Sequence, residues 1–233
     1  MTRSLYQFVY VPDTTTYQYA YNNAIPQLPI TGAPADTNWT RWAMLFDGSS
    51  YRLYFFKGNT NDTLYQFAFN PDTAAYEFGF NNAISELKLT GIPQDASSDS
   101  FAMLHDGSTY RLYLRSLGHA NLLYQFAFNP DTGCYEYGYD SAPVIPVTGV
   151  PSTVDWSRWG MLHDGTNYRF YAMERGNNTK FFQAAYNFEV GEYQFGYDSI
   201  PELSLVGTPA AANMADIALL HDGLYRLYVQ SNG

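Results

Sequence analysis

Three histidines recur in one context. His105, His163 and His221 each precede Asp-Gly, and Phe46 holds the same place in a fourth copy. Related imidazoles of this kind could ligate a metal or a haem iron. No cysteine or clustered carboxylate lies at ligand spacing beside them, so a hydrogen-bonding role at a hairpin end is the plainer reading. A second set is polar in every copy. It reads Asp47, Arg52, Gln66, Glu77, then Asp106, Arg111, Gln125, Glu136, then Asp164, Arg169, Gln183, Gln194, and finally Asp222, Arg226, Gln7, Gln18. These side chains form either four equivalent polar pockets or a paired network that pins each sheet. A group present in all four copies reads first as scaffold.

The third constellation alternates. Two opposite copies carry Trp39-Thr40-Arg41-Trp42 and Trp156-Ser157-Arg158-Trp159, which hold all four tryptophans. The other two carry Ser98-Asp99-Ser100-Phe101 and Met214-Ala215-Asp216-Ile217. The arginines and aspartates either neutralise one another or, with the indoles, form a rim for a polar ligand with apolar faces. A sugar is such a ligand. The ligand site is therefore expected at Trp39, Arg41, Asp99, Trp156, Arg158 and Asp216, with His105, His163 and His221 as further candidates.

Signatures of catalysis are missing. The chain has no Gly-rich phosphate loop, no Gly-x-Ser-x-Gly elbow and no zinc spacing. Nothing activates Cys134, the lone cysteine, which cannot close an intrachain disulfide. The expected protein is not an enzyme and holds no metal or cofactor. Sequons at Asn38, Asn61 and Asn177 matter only on export. With 12 basic against 22 acidic residues the net charge is −10, which disfavours nucleic acid and anionic membrane as partners. The amino terminus has no apolar core of signal-peptide length and no segment is apolar enough to span a bilayer, so a soluble protein is expected, its compartment left open.

These residues are positioned by a repeat. Leu-Tyr-Gln-Phe at Leu5, Leu64 and Leu123, and Phe-Phe-Gln-Ala at Phe181, follow one another at 59, 59 and 58 residues. Asp-Gly pairs at Asp47, Asp106, Asp164 and Asp222 keep the same period, and Tyr-Arg-Leu/Phe-Tyr follows each. Apolar runs ending at Asp-Gly predict hairpins, and alternation predicts four strands per copy with almost no helix. Ala43, Ala102, Gly160 and Ala218 share one position and suit innermost strands converging on a narrow axis. Stacking within the aromatic row supplies the main cohesion.

The phase of the repeat matters most. The chain opens with the last two strands of a copy and ends with the first two, which leaves open edges in a linear array but closes a ring. The expected fold is all-β: one four-bladed β-propeller domain over residues 1–233, four antiparallel strands to a blade. Full blades fall at about 39–97, 98–154 and 155–213, and residues 1–35 share the last blade with 214–233.

A four-unit ring with Asp216-Ile217-Ala218 leading a strand, and Gly-x-Tyr-Arg-Leu-Tyr-Val after it, resembles the hemopexin-like propellers. That resemblance implies a non-catalytic scaffold, often with ions in the central channel and sometimes with haem or protein ligands. No residue match carries over a haem site. The functional expectation is a lectin-like module binding a glycan or small polar ligand at repeated rim sites. A hemopexin-like protein-interaction scaffold or haem/ion carrier is the alternative.

Overall fold

The computed structural model describes residues 3–23, 25–82 and 84–231. The chain opens with β1 (Ser4–Val11), β2 (Thr16–Tyr19) and β3 (Gln27–Thr31). The first full repeat follows as β4 (Thr37–Phe46), β5 (Tyr51–Lys57), β6 (Thr63–Asn70), β7 (Ala75–Phe78) and β8 (Glu86–Thr90). The second is β9 (Ala96–His105), β10 (Tyr110–Ser116), β11 (Leu122–Asn129), β12 (Cys134–Tyr137) and β13 (Val144–Thr148). The third is β14 (Val154–His163), β15 (Tyr168–Glu174), β16 (Lys180–Asn187), β17 (Glu192–Phe195) and β18 (Glu202–Val206). The chain ends with β19 (Ala212–His221) and β20 (Tyr225–Ser231). Helix among the described residues is confined to three short 3-10 turns.

Each repeat therefore makes five strands where alternation predicted four. Its first two form the Asp-Gly hairpin, as Phe46 opposite Tyr51 shows for β4 and β5. Gly48 turns that corner at φ +91°, a left-handed conformation that a side chain would strain. The third strand, β6, pairs with β5 along one edge and divides its other edge, giving residues 67–70 to β7 and 63–65 to β8. The added fifth strand then runs parallel to the fourth strand of the next repeat, β8 beside β12. The same step joins β3 to β7, β13 to β17 and β18 to β2. Twelve outer strands thus close into a ring, with the hairpins pointing inward.

Head and tail meet in this ring. Leu5 lies opposite Gln230 and Val9 opposite Arg226 in the β1–β20 ladder, and the Ser4 amide donates to Ser231 Oγ at 3.1 Å. Around the axis β4 and β14 each pack against β9 and β19. A Cβ on Gly160 would fall 2.6 Å from Leu219 Cδ1, so Leu219 occupies the space that a methyl group fills at Ala43, Ala102 and Ala218.

The core is four clusters, each shared by neighbouring repeats. Trp42 and Met44 of β4 pack toward Leu5, Leu28 and Tyr228, whereas Ala43 and Leu45 pack toward Phe101, Met103 and Leu112. Strand alternation thus sends successive side chains of an inner strand to opposite neighbours. Each buried aromatic or aliphatic side chain contributes about 1.5–3 kcal/mol relative to exposure.

Candidate functional site

The Asp-Gly hairpin that builds each repeat also places its arginine. Arg52 Nε donates to Asp47 Oδ2 at 2.6 Å, Arg111 to Asp106 at 2.6 Å, Arg169 to Asp164 at 2.5 Å and Arg226 to Asp222 at 2.7 Å. The tyrosine opening the second strand of the following repeat donates to the same carboxylate. Tyr110 reaches Asp47 at 3.2 Å, Tyr168 reaches Asp106 at 3.1 Å, Tyr225 reaches Asp164 at 2.9 Å and Tyr51 reaches Asp222 at 2.5 Å. Asp47 Oδ1 meanwhile accepts the amides of Ser49 and Ser50.

Charge follows from this geometry. Burial alone would raise the Asp47 carboxyl, but Arg52, Ser49 and Ser50 overcome it and hold the group at about 2. Asp164 is buried likewise, and the Asn167 amide and Arg169 hold it at about 2. Asp106, also buried, is held well below the usual carboxylate range by Arg111 and its turn amides. Tyr51 is pushed up to about 12 by burial and by Asp222. Asp47, Asp106 and Asp164 stay ionised and committed to the scaffold at neutral pH.

Each ion pair is made through Nε, and the end of the guanidinium lines a pocket between repeats, where Arg169 Nη1 donates to the Asp198 carbonyl at 3.0 Å. Arg52, Tyr54 and Gln66 face Tyr110, Phe128 and Tyr135 of the next repeat across about 210 Å³. Arg111, Tyr113 and Gln125 face Tyr168, Tyr186 and Tyr193 across about 200 Å³. Arg169, Tyr171 and Gln183 face Tyr225, Tyr10 and Tyr17 across about 330 Å³. Gln7, Arg226 and Tyr228 face Tyr51, Phe69 and Tyr76 across about 210 Å³. The glutamine sits where the third strand changes partner, its backbone N–H bound to the loop before the fifth strand, as Gln125 to the Pro143 carbonyl at 2.9 Å, while Gln125 Nε2 donates to the Ala142 carbonyl at 3.2 Å. Backbone pairing therefore fixes the side chain that walls the pocket.

The polar band is thus both network and pocket, but its fourth member stands apart. Glu77 accepts from Thr73 at 2.6 Å and Glu136 from Thr132 at 2.6 Å, within their own turns. Gln194 accepts from Asn187, and Gln18 donates to Thr14 and Thr16.

The alternating Trp–Arg residues occupy the other ends of the inner strands. Arg41 is 7% exposed and donates to Asn61, Ser98 and the carbonyls of Gly58 and Thr60. Burial lowers its pKa, with Asp99 opposing that shift. Arg158 pairs with Asp155 at 2.7 Å and donates to Asn178 and the Glu174 carbonyl. Both guanidinium groups hold loops together instead of facing a ligand. Trp39 packs on Phe55 beneath Arg3, and Trp156 packs on Phe170. Asp99 is exposed, whereas Asp216 is buried with Oδ2 unpartnered. The six residues do not form one cluster.

The three histidines do converge. Together with Phe46 they border a space of only about 10 Å³ at the opposite end of the axis. Each stacks on the tyrosine across its hairpin, His105 on Tyr110 at 4.5 Å, His163 on Tyr168 at 4.6 Å and His221 on Tyr225 at 4.8 Å. Burial lowers all three imidazole pKa values. Among the described residues no group of three His, Cys, Asp or Glu side chains is arranged to hold a metal ion. No helix among them is long and apolar enough to cross a membrane.

Sequence reasoning missed the tyrosines that wall the pockets. Their signal was present in the fourfold Tyr-Arg-x-Tyr, whose first tyrosine serves one pocket and whose arginine and second tyrosine serve the next.

No family model matches the chain, and none of the curated proteins does. Among solved structures it is similar to a mutant of AofleA from Arthrobotrys oligospora, at 14% identity and TM-score 0.33, over 81% of this chain and 67% of that one. It is also similar to a mutant Aleuria aurantia lectin in complex with Fucalpha1-6GlcNAc, at 13% identity and TM-score 0.37, over 84% and 73%. A mercury-derivative form of the fucose-specific lectin from Aleuria aurantia matches at 13% identity and TM-score 0.34, over 80% and 70%.

Proposed function

We propose that this chain is a non-enzymatic, multivalent carbohydrate-recognition protein, a four-bladed propeller whose ligands sit between adjacent blades. One observation carries the reading: the same pocket of guanidinium, amide and tyrosine recurs at all four boundaries between repeats. The guanidinium and amide N–H groups suit neighbouring hydroxyls of a pyranose ring, while tyrosine faces suit its apolar C–H side. The volumes lie near or below the about 300–1,000 Å³ of clefts for drug-sized ligands, which matches one small ring per pocket. Four weak sites on one rigid ring gain avidity on a surface displaying many copies of a glycan. Asp47, Asp106 and Asp164, held ionised by their arginines and turn amides, are poor proton donors at neutral pH, which supports binding over hydrolysis.

The test is titration calorimetry with methyl glycosides of fucose, galactose, glucose, mannose and N-acetylglucosamine, alongside a glycan array. At least one glycoside is expected to bind at up to four sites per chain, and Arg52→Leu is expected to remove one of them. Absence of binding to every glycoside at millimolar concentration overturns the reading.

A further inference from the structure

The four pockets are not equal. After the third strand of each repeat the chain turns through Pro12, Pro71 and Pro130 in three copies, but through Phe188 in the other. Phe188 is 66% exposed, the most exposed large apolar side chain among the described residues. Its ring stands 5.0 Å from Tyr186, edge to face, and 6.0 Å from Tyr168, and all three line the pocket of Arg111 and Gln125. A proline would hold this turn with less conformational entropy to lose, as it does in the other copies. The phenyl ring adds little to the core. What it adds is an aromatic wall at the pocket mouth.

The same mouth carries a carboxylate. Asp140 lines this pocket in a left-handed conformation at φ +45°, where two other repeats have Asn22 and Asn81. The fourth equivalent, Asp198, accepts Asn167 Nδ2 at 3.2 Å. Asp140 is exposed, and its carboxylate accepts no hydrogen bond among the described residues. One pocket alone therefore combines a guanidinium, an amide, an unengaged carboxylate and an exposed aromatic ring.

We infer that the pocket between the second and third repeats is the principal ligand site and takes a saccharide of two rings. The first ring fills the Arg111–Gln125 pocket common to all boundaries, where Asp140 supplies a hydroxyl acceptor. The second ring stands on Phe188. This rests on the carbohydrate reading above and adds which pocket dominates and how large its ligand is.

Paired probes test it: methyl and 4-nitrophenyl glycosides of the five sugars named above, the aryl group standing in for the second ring. For a sugar that binds, the aryl glycoside is expected to bind about tenfold tighter than the methyl glycoside at one site in four. Phe188→Ala is expected to erase that gain while leaving the melting temperature unchanged. An aryl gain at all four sites, at none, or surviving Phe188→Ala overturns this inference and leaves the pocket reading intact. Failure of every methyl glycoside to bind overturns the pocket reading, and this inference with it.

Discussion

Asp216 occupies the position that Arg41 and Arg158 hold in two other repeats, yet its Oδ2 has no hydrogen-bond partner among the described residues. Its carboxyl is buried, and the backbones of Ile217 and Trp42 oppose only part of the shift, so its pKa lies well above the ordinary value. The sign of the consequence is fixed. A carboxyl whose folded pKa is raised adds stability that is complete below the unfolded value, about 3.9, and is lost as pH rises through the folded value. Asp216→Asn should therefore raise the melting temperature at pH 8, by about 3 °C or more, with the gain shrinking toward pH 4. Melts of both proteins across that range check this, and a lower melting temperature for the variant at pH 8 would contradict it. The inward-facing arginines contrast with this case. Arg52, Arg111, Arg169 and Arg226 each meet a carboxylate within 2.7 Å, so the same acid type serves the fold once it is paired.

At the scale of elements, the third strand of each repeat organises the others, because its outer edge is handed from the fourth strand to the fifth. The return loop closes on the pocket glutamine, with Gly79, Gly138 and Gly196 at φ +67 to +70° in three copies. In the split repeat Ala20 adopts φ +57° at that place. An exposed alanine there carries a strain that glycine avoids, so Ala20→Gly should stabilise by about 1 kcal/mol, measured by urea denaturation. The fifth strand escaped the sequence reading for a physical reason. It is five residues long, and two of its copies contain Pro29 and Pro146. Those prolines shorten the parallel ladder: β3 and β13 pair two residues with the next repeat, where β8 and β18 pair three. A proline donates nothing to a ladder, so it is tolerated only where that partner can be given up.

For the molecule as a whole, closure is the critical feature. β1 is held by β20 on one side and by β2 and β3 on the other, so it belongs to both the inner spokes and the outer ring. Deleting residues 1–21 removes β1 and β2 and opens both. Loss of the cooperative thermal transition is expected, and a truncated chain melting at the full-length temperature would refute the role of closure. The strand ring, the inward hairpins and the head-to-tail pairing were legible because a repeat period and its phase are properties of chain order. So were the small inner-strand residues and the Asp–Arg pairs, which lie close in sequence. Pockets along the polar band were one of two open readings, but their walls were not legible, because each is assembled from two repeats: Tyr110 and Tyr135 of the next repeat close the pocket of Arg52. The surroundings of Arg41 were not legible for the matching reason. Residue type alone suggests a ligand platform, whereas burial against Asn61, Ser98 and two carbonyls engages the guanidinium within the fold. Periodicity by itself determined that this chain is a closed all-β ring, since alternation and repeat phase are one-dimensional. Only the tertiary structure decided which polar groups still face solvent, because hydrogen bonds between repeats depend on how neighbouring sheets lie against each other.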